Sequence, residues 1–346
     1  MRIKGLDFLR GVAIIGVLFR HFEIDFFLAG PGGYGVDLFF VLSGFLVSGL
    51  LFSEYKRRGE VNIKRFLIRR GFKIYPAFYF FIISTIALFA IGLGTSFHTN
   101  SILSEVFFLQ SYTGGMWSHT WSLAVEEHFY FLLAFIIFIA LKSRINMKGQ
   151  TLPLLFAGAI LLSLMLRIIY VYRVYAINHI AFFYTHLRID GLFTGALLGY
   201  FWHFRPAGIE RFYTQKKLFG LLSILLIMPC FFFKSGSMFM VTIGFNIMHV
   251  GFAFAILLLI STKGEKVLFG NAIFNKISSA IAFIGIYSYS IYIWHLPVQN
   301  LLLRFVTDLR VEAILYMVIS VFTGIVTSLA IEKPMLKLRD RYFPRN

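Results

Sequence analysis

Histidine and carboxylate side chains inside apolar stretches are the residues of this sequence best suited to chemistry. His21 can accept a proton near neutral pH, and a carboxylate beside it, such as Glu126 or Asp37, can orient its ring and stabilise the imidazolium. Glu127 directly follows Glu126 and is a further candidate. Together these groups have the equipment to activate a hydroxyl group.

Cationic side chains form a second set of candidates. Arg10 precedes His21 by eleven residues, or almost three helical turns, so both project from one helical face about 16 Å apart along the axis. Arg69, Arg70 and Lys73 lie at the predicted inner end of another apolar stretch. An elongated molecule with an anionic head would fit a groove between these layers. Coenzyme A has that shape, and its phosphates suit Arg and Lys.

Each of these residues also has a simpler interpretation. His21 could merely bond a neighbouring helix, and Arg10 could extend to the inner interface. Arg69, Arg70 and Lys73 could act only as topology determinants, and Glu126 and Glu127 could lie at the outer interface. Arg188 and Asp190 are two positions apart and do not face each other, so each needs another partner.

Several other chemistries lack a signature in the sequence. It contains no Gly-x-Ser-x-Gly elbow, phosphate-binding Walker loop or His-Glu-x-x-His zinc motif. A single cysteine, Cys230, allows neither an intramolecular disulfide nor a cysteine-based metal site, and we expect no metal cofactor. These absences argue against hydrolase, ATPase and zinc-protease functions.

The elements that must position these residues are membrane helices. Of the 346 residues, 58% are apolar and 14% charged, which excludes an ordinary soluble domain. We predict an all-α bundle of about ten transmembrane helices and one membrane domain over residues 1–346, because ten stretches approach the length needed to cross a bilayer. The predicted spans are 7–28, 34–54, 74–94, 121–141, 152–172, 184–203, 217–233, 239–260, 280–303 and 311–332.

The positions of the basic residues give this topology a direction. The net charge is +17, and 25 of the 33 Lys and Arg residues lie in alternate loops and termini, which the positive-inside rule assigns to the cytoplasm. Both termini are therefore predicted to be cytoplasmic. This distribution fits contact with membrane lipids and argues against a nucleic-acid partner.

Seven segments, taken in order, resemble the acyltransferase-3 family of integral-membrane O-acyltransferases. The resemblance extends over nearly the whole chain. The segments are LDFLRGVAIIGVLFRHF, GVDLFFVLSGFLVSGLL, FLIRRGFKIYPAFY, TWSLAVEEHFYFLLAF, THLRIDGLFTGALLG, IGIYSYSIYIWHLPV and IEKP.

The resemblance implies transfer of an acyl group, usually acetyl from acetyl-CoA, to a carbohydrate hydroxyl. The family's basic residue and histidine map onto Arg10 and His21, and its Arg-x-x-Arg motif maps onto Arg70 and Lys73. Lys73 departs from that pattern, and Lys lacks the bidentate fork of Arg. Larger members append an extracytoplasmic SGNH domain, which we expect this chain to lack.

The sequence therefore predicts a membrane O-acyltransferase, acting in the bacterial cytoplasmic membrane on a carbohydrate or glycolipid-type acceptor. Arg10, Arg69, Arg70 and Lys73 would hold the acyl-CoA, and His21 would act as base or relay. Direct transfer and a covalent acyl relay both need such a histidine. A solute or proton-coupled transporter is the first alternative, and a non-enzymatic membrane subunit is the second.

Overall fold

The protein is helical throughout the part that the structure covers. The computed structural model describes residues 3–22, 29–94, 96–174, 183–260 and 272–344, and these ranges contain no strand. The helices, in chain order, are α1 (Lys4–Arg20), α2 (Ala29–Gly32), α3 (Gly35–Arg58), α4 (Ile63–Thr85), α5 (Thr99–Val106), α6 (Gln110–Thr113), α7 (Trp121–Lys142), α8 (Thr151–Val174), α9 (Thr185–Arg188), α10 (Asp190–Phe204), α11 (Pro206–Thr214), α12 (Lys216–Ile227), α13 (Pro229–Phe232), α14 (Phe245–Ile260), α15 (Ala272–Ile286), α16 (Ser288–Leu302), α17 (Leu309–Thr327) and α18 (Lys333–Tyr342).

In the described part of the chain, three short π-helical segments extend these helices. They are Ile86–Gly92 after α4, Met240–Gly244 before α14 and Ser328–Glu332 between α17 and α18. Because α17 and α18 are joined in this way, residues Leu309–Tyr342 form one long rod. The prediction of an all-α bundle is confirmed.

Within the described ranges, six helical segments are long and apolar enough to cross a membrane, and the number rises to eight if two bent pairs each count as one span. The predicted first and sixth spans correspond to α1 and α10, which have 17 and 15 residues. The count of ten spans, the cytoplasmic termini and the single domain therefore stay predictions. Residues 23–28 of the first predicted span lie outside the described residues, and so do four of the 25 basic residues assigned to the cytoplasm, namely Arg2, Lys263, Lys266 and Arg345.

One predicted span contains a sharp bend, and a second bend lies just before another predicted span. Residues 280–303 are divided between α15 and α16, which meet at an angle of 76°. Residues 216–232 follow α11 at an angle of 89°. In the first case the bend turns α16 inward, and its buried face carries Tyr292 and His295.

Glycines bring the central helices unusually close together. A Cβ atom on Gly44 of α3 would lie 1.9 Å from the carbonyl oxygen of Leu192 in α10. On the other side of the bundle, a Cβ atom on Gly285 of α15 would lie 1.9 Å from the carbonyl oxygen of Asp7 in α1. No side chain fits in either contact, so α1 and α3 are each held backbone to backbone against a neighbour.

Candidate active site

A cleft opens between α1, α3, α4, α7 and α16, and it consists of two cavities that meet end to end. The wider cavity has a volume of about 570 Å³ and the narrower one about 110 Å³. Arg10, Leu46, Arg70 and Lys73 line both of them. The predicted helix face of Arg10 therefore borders a cleft. Arg10, Arg70 and Lys73 are the three cations at the junction of the two cavities, which we call the waist of the cleft.

The wider cavity is strongly cationic. Eight basic and three acidic side chains line it: Arg10, Arg57, Arg65, Arg69, Arg70, Lys73, Lys333 and Arg339, with Asp7, Glu54 and Glu332. Some of these charges are paired, since Arg65 binds Glu54 and Arg69 binds both Asp340, at 2.9 Å, and the carbonyl oxygen of Phe343. The surplus of positive charge makes this cavity suited to a polyanion.

The three cations at the waist are only loosely held by the protein. Arg10 lies 3.3 Å from Asp7, one turn earlier on α1. The guanidinium of Arg70 lies over the ring of Tyr130, 5.5 Å from its centroid. No hydrogen bond or ion pair holds the ammonium group of Lys73 within the described ranges. These groups therefore retain donors that a ligand can use.

The narrower cavity carries the two predicted carboxylates of α7. Glu126 accepts hydrogen bonds from Ser43, at 3.2 Å, and from the hydroxyl of Tyr130. Glu127 accepts one from the hydroxyl of Tyr75 at 3.0 Å. Both residues line the cavity together with Ser122 and Tyr292. The structure thus brings the adjacent glutamates and the three cations into one cleft.

His21 ends α1 and packs against another histidine instead of a carboxylate. Its ring centroid lies 5.1 Å from that of His295 on α16, and the ring of His295 lies 4.7 Å from that of His119. We call His21, His119 and His295 the histidine cluster. His295 has no exposed surface, so the imidazole of His21 faces the protein interior and not lipid.

Tyr292 separates the histidine cluster from the narrower cavity. It lines that cavity, and its ring centroid lies 5.4 Å from those of both His119 and His295. Its hydroxyl contacts the hydroxyl of Ser122 at 2.6 Å and donates to the carbonyl oxygen of His119 at 2.8 Å. Arg10 and His21 therefore face the same side of the bundle, with one tyrosine between the cavity and the imidazoles.

His119 is a neutral imidazole at ordinary pH. It lies just before α7, outside the membrane-spanning segments, and is buried. Burial, and secondly the nearby charge of His21, lower its pKa to about 3. Its ring therefore acts as a fixed hydrogen-bonding group and not as a cation.

Asp37 lies in a different environment from the other predicted catalytic residues. Its carboxylate accepts from Arg188 at 2.6 Å and lies 3.0 Å from Nε2 of His249. Asp190, for its part, pairs with Arg167 at 2.8 Å. We call Asp37, Arg167, Arg188, Asp190 and His249 the buried ion network. The structure does not bring Asp37 to His21, because the network occupies its carboxylate.

Two members of these groups are not assigned to a site in the sequence analysis. His119 lies in a loop without any periodic pattern, so nothing assigns it to the same place as His21 and His295. Arg167 lies in the middle of an apolar span, and its position there was the one available signal, since a buried arginine needs a partner. The expectation that Arg188 and Asp190 each bind another residue is confirmed.

Comparison with known proteins places the chain among acyltransferases. A family model described as an acyltransferase domain, the acyltransferase-3 model, matches residues 3–333. The O-acetyltransferase OatA of Staphylococcus aureus (strain NCTC 8325 / PS 47) is 27% identical over 97% of this chain, and so is the O-acetyltransferase homologue SACOL0978 of Staphylococcus aureus (strain COL). The chain spans 57% of the length of each relative.

No solved structure matches the chain. The family match extends over nearly the whole sequence, including Arg10, His21, Lys73 and Glu126. It agrees with the apolar helices that are long enough to span a bilayer. The chain therefore is a multi-pass membrane protein that belongs to the acyltransferase-3 family.

Proposed function

We propose that the protein is a membrane O-acyltransferase of the bacterial cytoplasmic membrane. It moves an acyl group, acetyl in the first instance, from cytoplasmic acetyl-CoA to a hydroxyl of a cell-surface or exported carbohydrate. The observation that carries this proposal is the two-part cleft, in which a wide cationic cavity joins a narrow cavity with two glutamates through Arg10, Arg70 and Lys73. The names of the relatives, as O-acetyltransferases, support the same reaction.

The wide cavity would hold the nucleotide end of the donor. The phosphates of coenzyme A are polyanionic, and the surplus of basic side chains there supplies charge-assisted hydrogen bonds. Arg10, Arg70 and Lys73 stand where the thioester arm would pass from one cavity to the other. Arg69 lines the wide cavity but is bound to Asp340, so we assign it to the surrounding positive field.

The chemical step needs one base and one leaving group. The acceptor hydroxyl oxygen attacks the thioester carbonyl carbon, a C–O bond forms, and the C–S bond breaks. His21 takes the hydroxyl proton, and its imidazolium then gives that proton to the departing thiolate, which becomes the free thiol of coenzyme A. The same base serves direct transfer and a relay through a covalent acyl intermediate.

The glutamates of α7 would act differently from each other. Glu126, held by Ser43 and Tyr130 beside the three cations, would balance their charge and orient the reacting end of the donor. Glu127 would orient Tyr75. Asp37 is not part of this proposal, since Arg188 and His249 already bind its carboxylate.

A transporter is the second candidate, and one observation favours it. Two helix pairs in the structure are bent by 76° and 89°. Broken membrane helices line the binding sites of many transporters. Uptake of solute into vesicles without any acyl donor would support transport and contradict the acyltransferase proposal.

The test of the proposal uses the full chain, purified into lipid nanodiscs and supplied with acetyl-CoA carrying a radiolabelled acetyl group. We expect label to leave the donor, and free thiol to appear, at a rate that depends on His21. Acetyl-CoA that stays intact in the presence of lipid-extracted glycan acceptors would contradict the proposal. Mass spectrometry of surface glycans from cells with and without the gene then identifies the acetylated product.

A further inference from the structure

The histidine cluster contains two buried imidazole nitrogens for which the described residues supply no hydrogen-bond partner. They are Nδ1 of His119 and Nε2 of His295. An unsatisfied polar atom in an apolar interior costs about 1–3 kcal/mol and calls for an explanation. The proposed function assigns a role to His21 alone, so it leaves these two atoms unused.

The hydrogen bonds of the other ring nitrogens fix both tautomers. Nε2 of His119 lies 3.1 Å from the carbonyl oxygen of Ile293, and Nδ1 of His295 contacts the carbonyl oxygen of Tyr292. A carbonyl oxygen only accepts, so each of these nitrogens must carry the hydrogen. In the neutral rings, Nδ1 of His119 and Nε2 of His295 therefore carry no hydrogen, and each has a lone pair that can accept a hydrogen bond.

Only one ring beside His295 has a donor to give. The rings in contact with His295 in the described part of the chain are those of His21, His119 and Tyr292. His119 gives its N–H to Ile293, and the hydroxyl of Tyr292 donates to the carbonyl oxygen of His119. The imidazole of His21 is left, and the described residues hold no hydrogen-bond partner for its ring nitrogens.

The distance between His21 and His295 suits a bond of this kind. An N–H···N contact of about 2.9 Å, extended to the centres of two imidazole rings, gives a separation of roughly 5 Å. The observed separation is 5.1 Å, with the planes tilted by 56°. Gln299, one turn beyond His295, already binds the carbonyl oxygen of His21 and holds the end of α1 in place.

We propose that His295 is a positioning residue that accepts an N–H from His21 through Nε2. This bond leaves the lone pair on the second ring nitrogen of His21 free to accept the proton of the acceptor hydroxyl. When His21 takes the hydroxyl proton, its imidazolium keeps the N–H donated to His295, and the charge is stabilised by a neutral imidazole. His119 packs against His295 and fixes the position of its ring. This inference rests on the proposed function of His21.

The test compares two substitutions at His295 in the nanodisc-reconstituted protein. In His295→Gln, the amide oxygen can still accept from His21, whereas His295→Phe fills the space without an acceptor. We expect His295→Phe to lower kcat by about 100-fold with an unchanged KM for acetyl-CoA, and His295→Gln to recover at least a tenfold part of that loss. His203→Phe is the matched control, because His203 lies on α10 beside Phe52, away from the cluster.

A spectroscopic measurement separates positioning from a merely structural role. Nitrogen-15 chemical shifts of the His21 ring, assigned by difference with His21→Gln, report which nitrogen carries the hydrogen. We expect one tautomer in the wild-type protein and in His295→Gln, and a mixture in His295→Phe. Equal kcat in wild-type protein and both His295 variants, or an unchanged His21 tautomer in His295→Phe, would overturn the inference. In that case activity that still requires His21 would leave the proposed function standing.

Discussion

The cleft and the buried ion network use the same kinds of side chain in opposite ways. In the network, Arg167 pairs with Asp190 at 2.8 Å and Arg188 with Asp37 at 2.6 Å, and all four are almost fully buried. In the cleft, Lys73 lines two cavities and has no ion-pair partner among the described residues. Both groups lie among membrane helices, where each charge is costly.

The difference shows what an ionisable residue in a membrane helix does. Charges that pair with one another in a closed space connect α3, α8, α10 and α14, and they border neither cavity of the cleft. Charges that border a cavity with donors still available can act on one. A charged residue inside a membrane helix is therefore expected to have a structural or a chemical role. Its partners indicate which role it has: a buried ion pair stabilises the fold, and a charge that lines a cavity can bind a ligand.

The largest expected effect comes from removing His21, the proposed general base. His21→Ala should lower the rate of acyl transfer by about 10²–10⁴-fold, the usual contribution of general base catalysis. Because His21 lies in the histidine cluster and is not part of the buried ion network, expression and the melting temperature should stay near wild type. Radiolabel transfer and thermal unfolding in nanodiscs measure the two quantities. Full transfer activity in His21→Ala would remove this residue from the chemistry.

Breaking the buried ion network should act on folding instead. Arg167→Met leaves Asp190 buried without its guanidinium partner and should cost about 3–5 kcal/mol of stability. The double variant Arg167→Met with Asp190→Leu should recover most of that loss, because no charge is then left unpaired. Unfolding monitored by tryptophan fluorescence measures the stability of each variant, and Arg173→Met, at an exposed position, is the control. A single variant as stable as wild type would mean that the network is not structural.

A moderate effect is expected at the waist of the cleft. Lys73→Ala should raise the KM for acetyl-CoA by about tenfold through the loss of one charge-assisted contact to phosphate, while kcat changes little. Lys73→Arg restores the charge and should return the KM to within a few-fold of wild type. Steady-state kinetics with varied acetyl-CoA measures both. An unchanged KM in Lys73→Ala would show that the donor does not touch this residue.

The smallest effect is expected outside both regions, at Glu105 in the segment before α7. Burial, partly offset by hydrogen bonds from Thr120, Trp117 and Met116, raises the pKa of Glu105 to about 7. The folded protein therefore keeps a proton that the unfolded chain releases above its ordinary pKa of 4.5. This contribution to stability is complete below pH 4.5 and is lost as the pH rises through 7.

Replacing that carboxyl group should remove its pH dependence. Glu105→Gln keeps an acceptor for Thr120, so its melting temperature relative to wild type should rise between pH 5 and pH 8, by an amount that reflects on the order of 1–2 kcal/mol. Melting curves at several pH values measure this difference. A constant difference across the range would mean that Glu105 is ionised in the folded protein throughout.

The helical class was predictable because it depends on local composition. Long apolar stretches fix membrane helices, and glycine and serine in Ser43-Gly44-Phe45 indicate close packing, which the contact of Gly44 with Leu192 confirms. The bend at Tyr287 was not predictable. The apolar pattern continues from α15 into α16 without an internal proline at the bend, so only tertiary packing shows where the chain turns.

The candidate site was predictable in part, for the same physical reason. Arg10 and His21 share a helix, so their relation follows from helical geometry alone. The meeting of His21 with His119 and His295 depends on three separate segments, and no spacing along the chain encodes it. Asp37 illustrates the converse, since its depth in the membrane suggested His21 as a neighbour, whereas the partners it found are Arg188 and His249.

The contact between Gly285 and the backbone of Asp7 has a consequence for substrate selection. It holds α1 close to α15, so Arg10 and His21, near the two ends of α1, keep their positions relative to α15. The distance between Arg10 and His21, about 16 Å along the helix axis, is then fixed. If the proposed function holds, a thioester on a shortened arm would bind through its phosphates without reaching His21, and the length of the arm would select the donor.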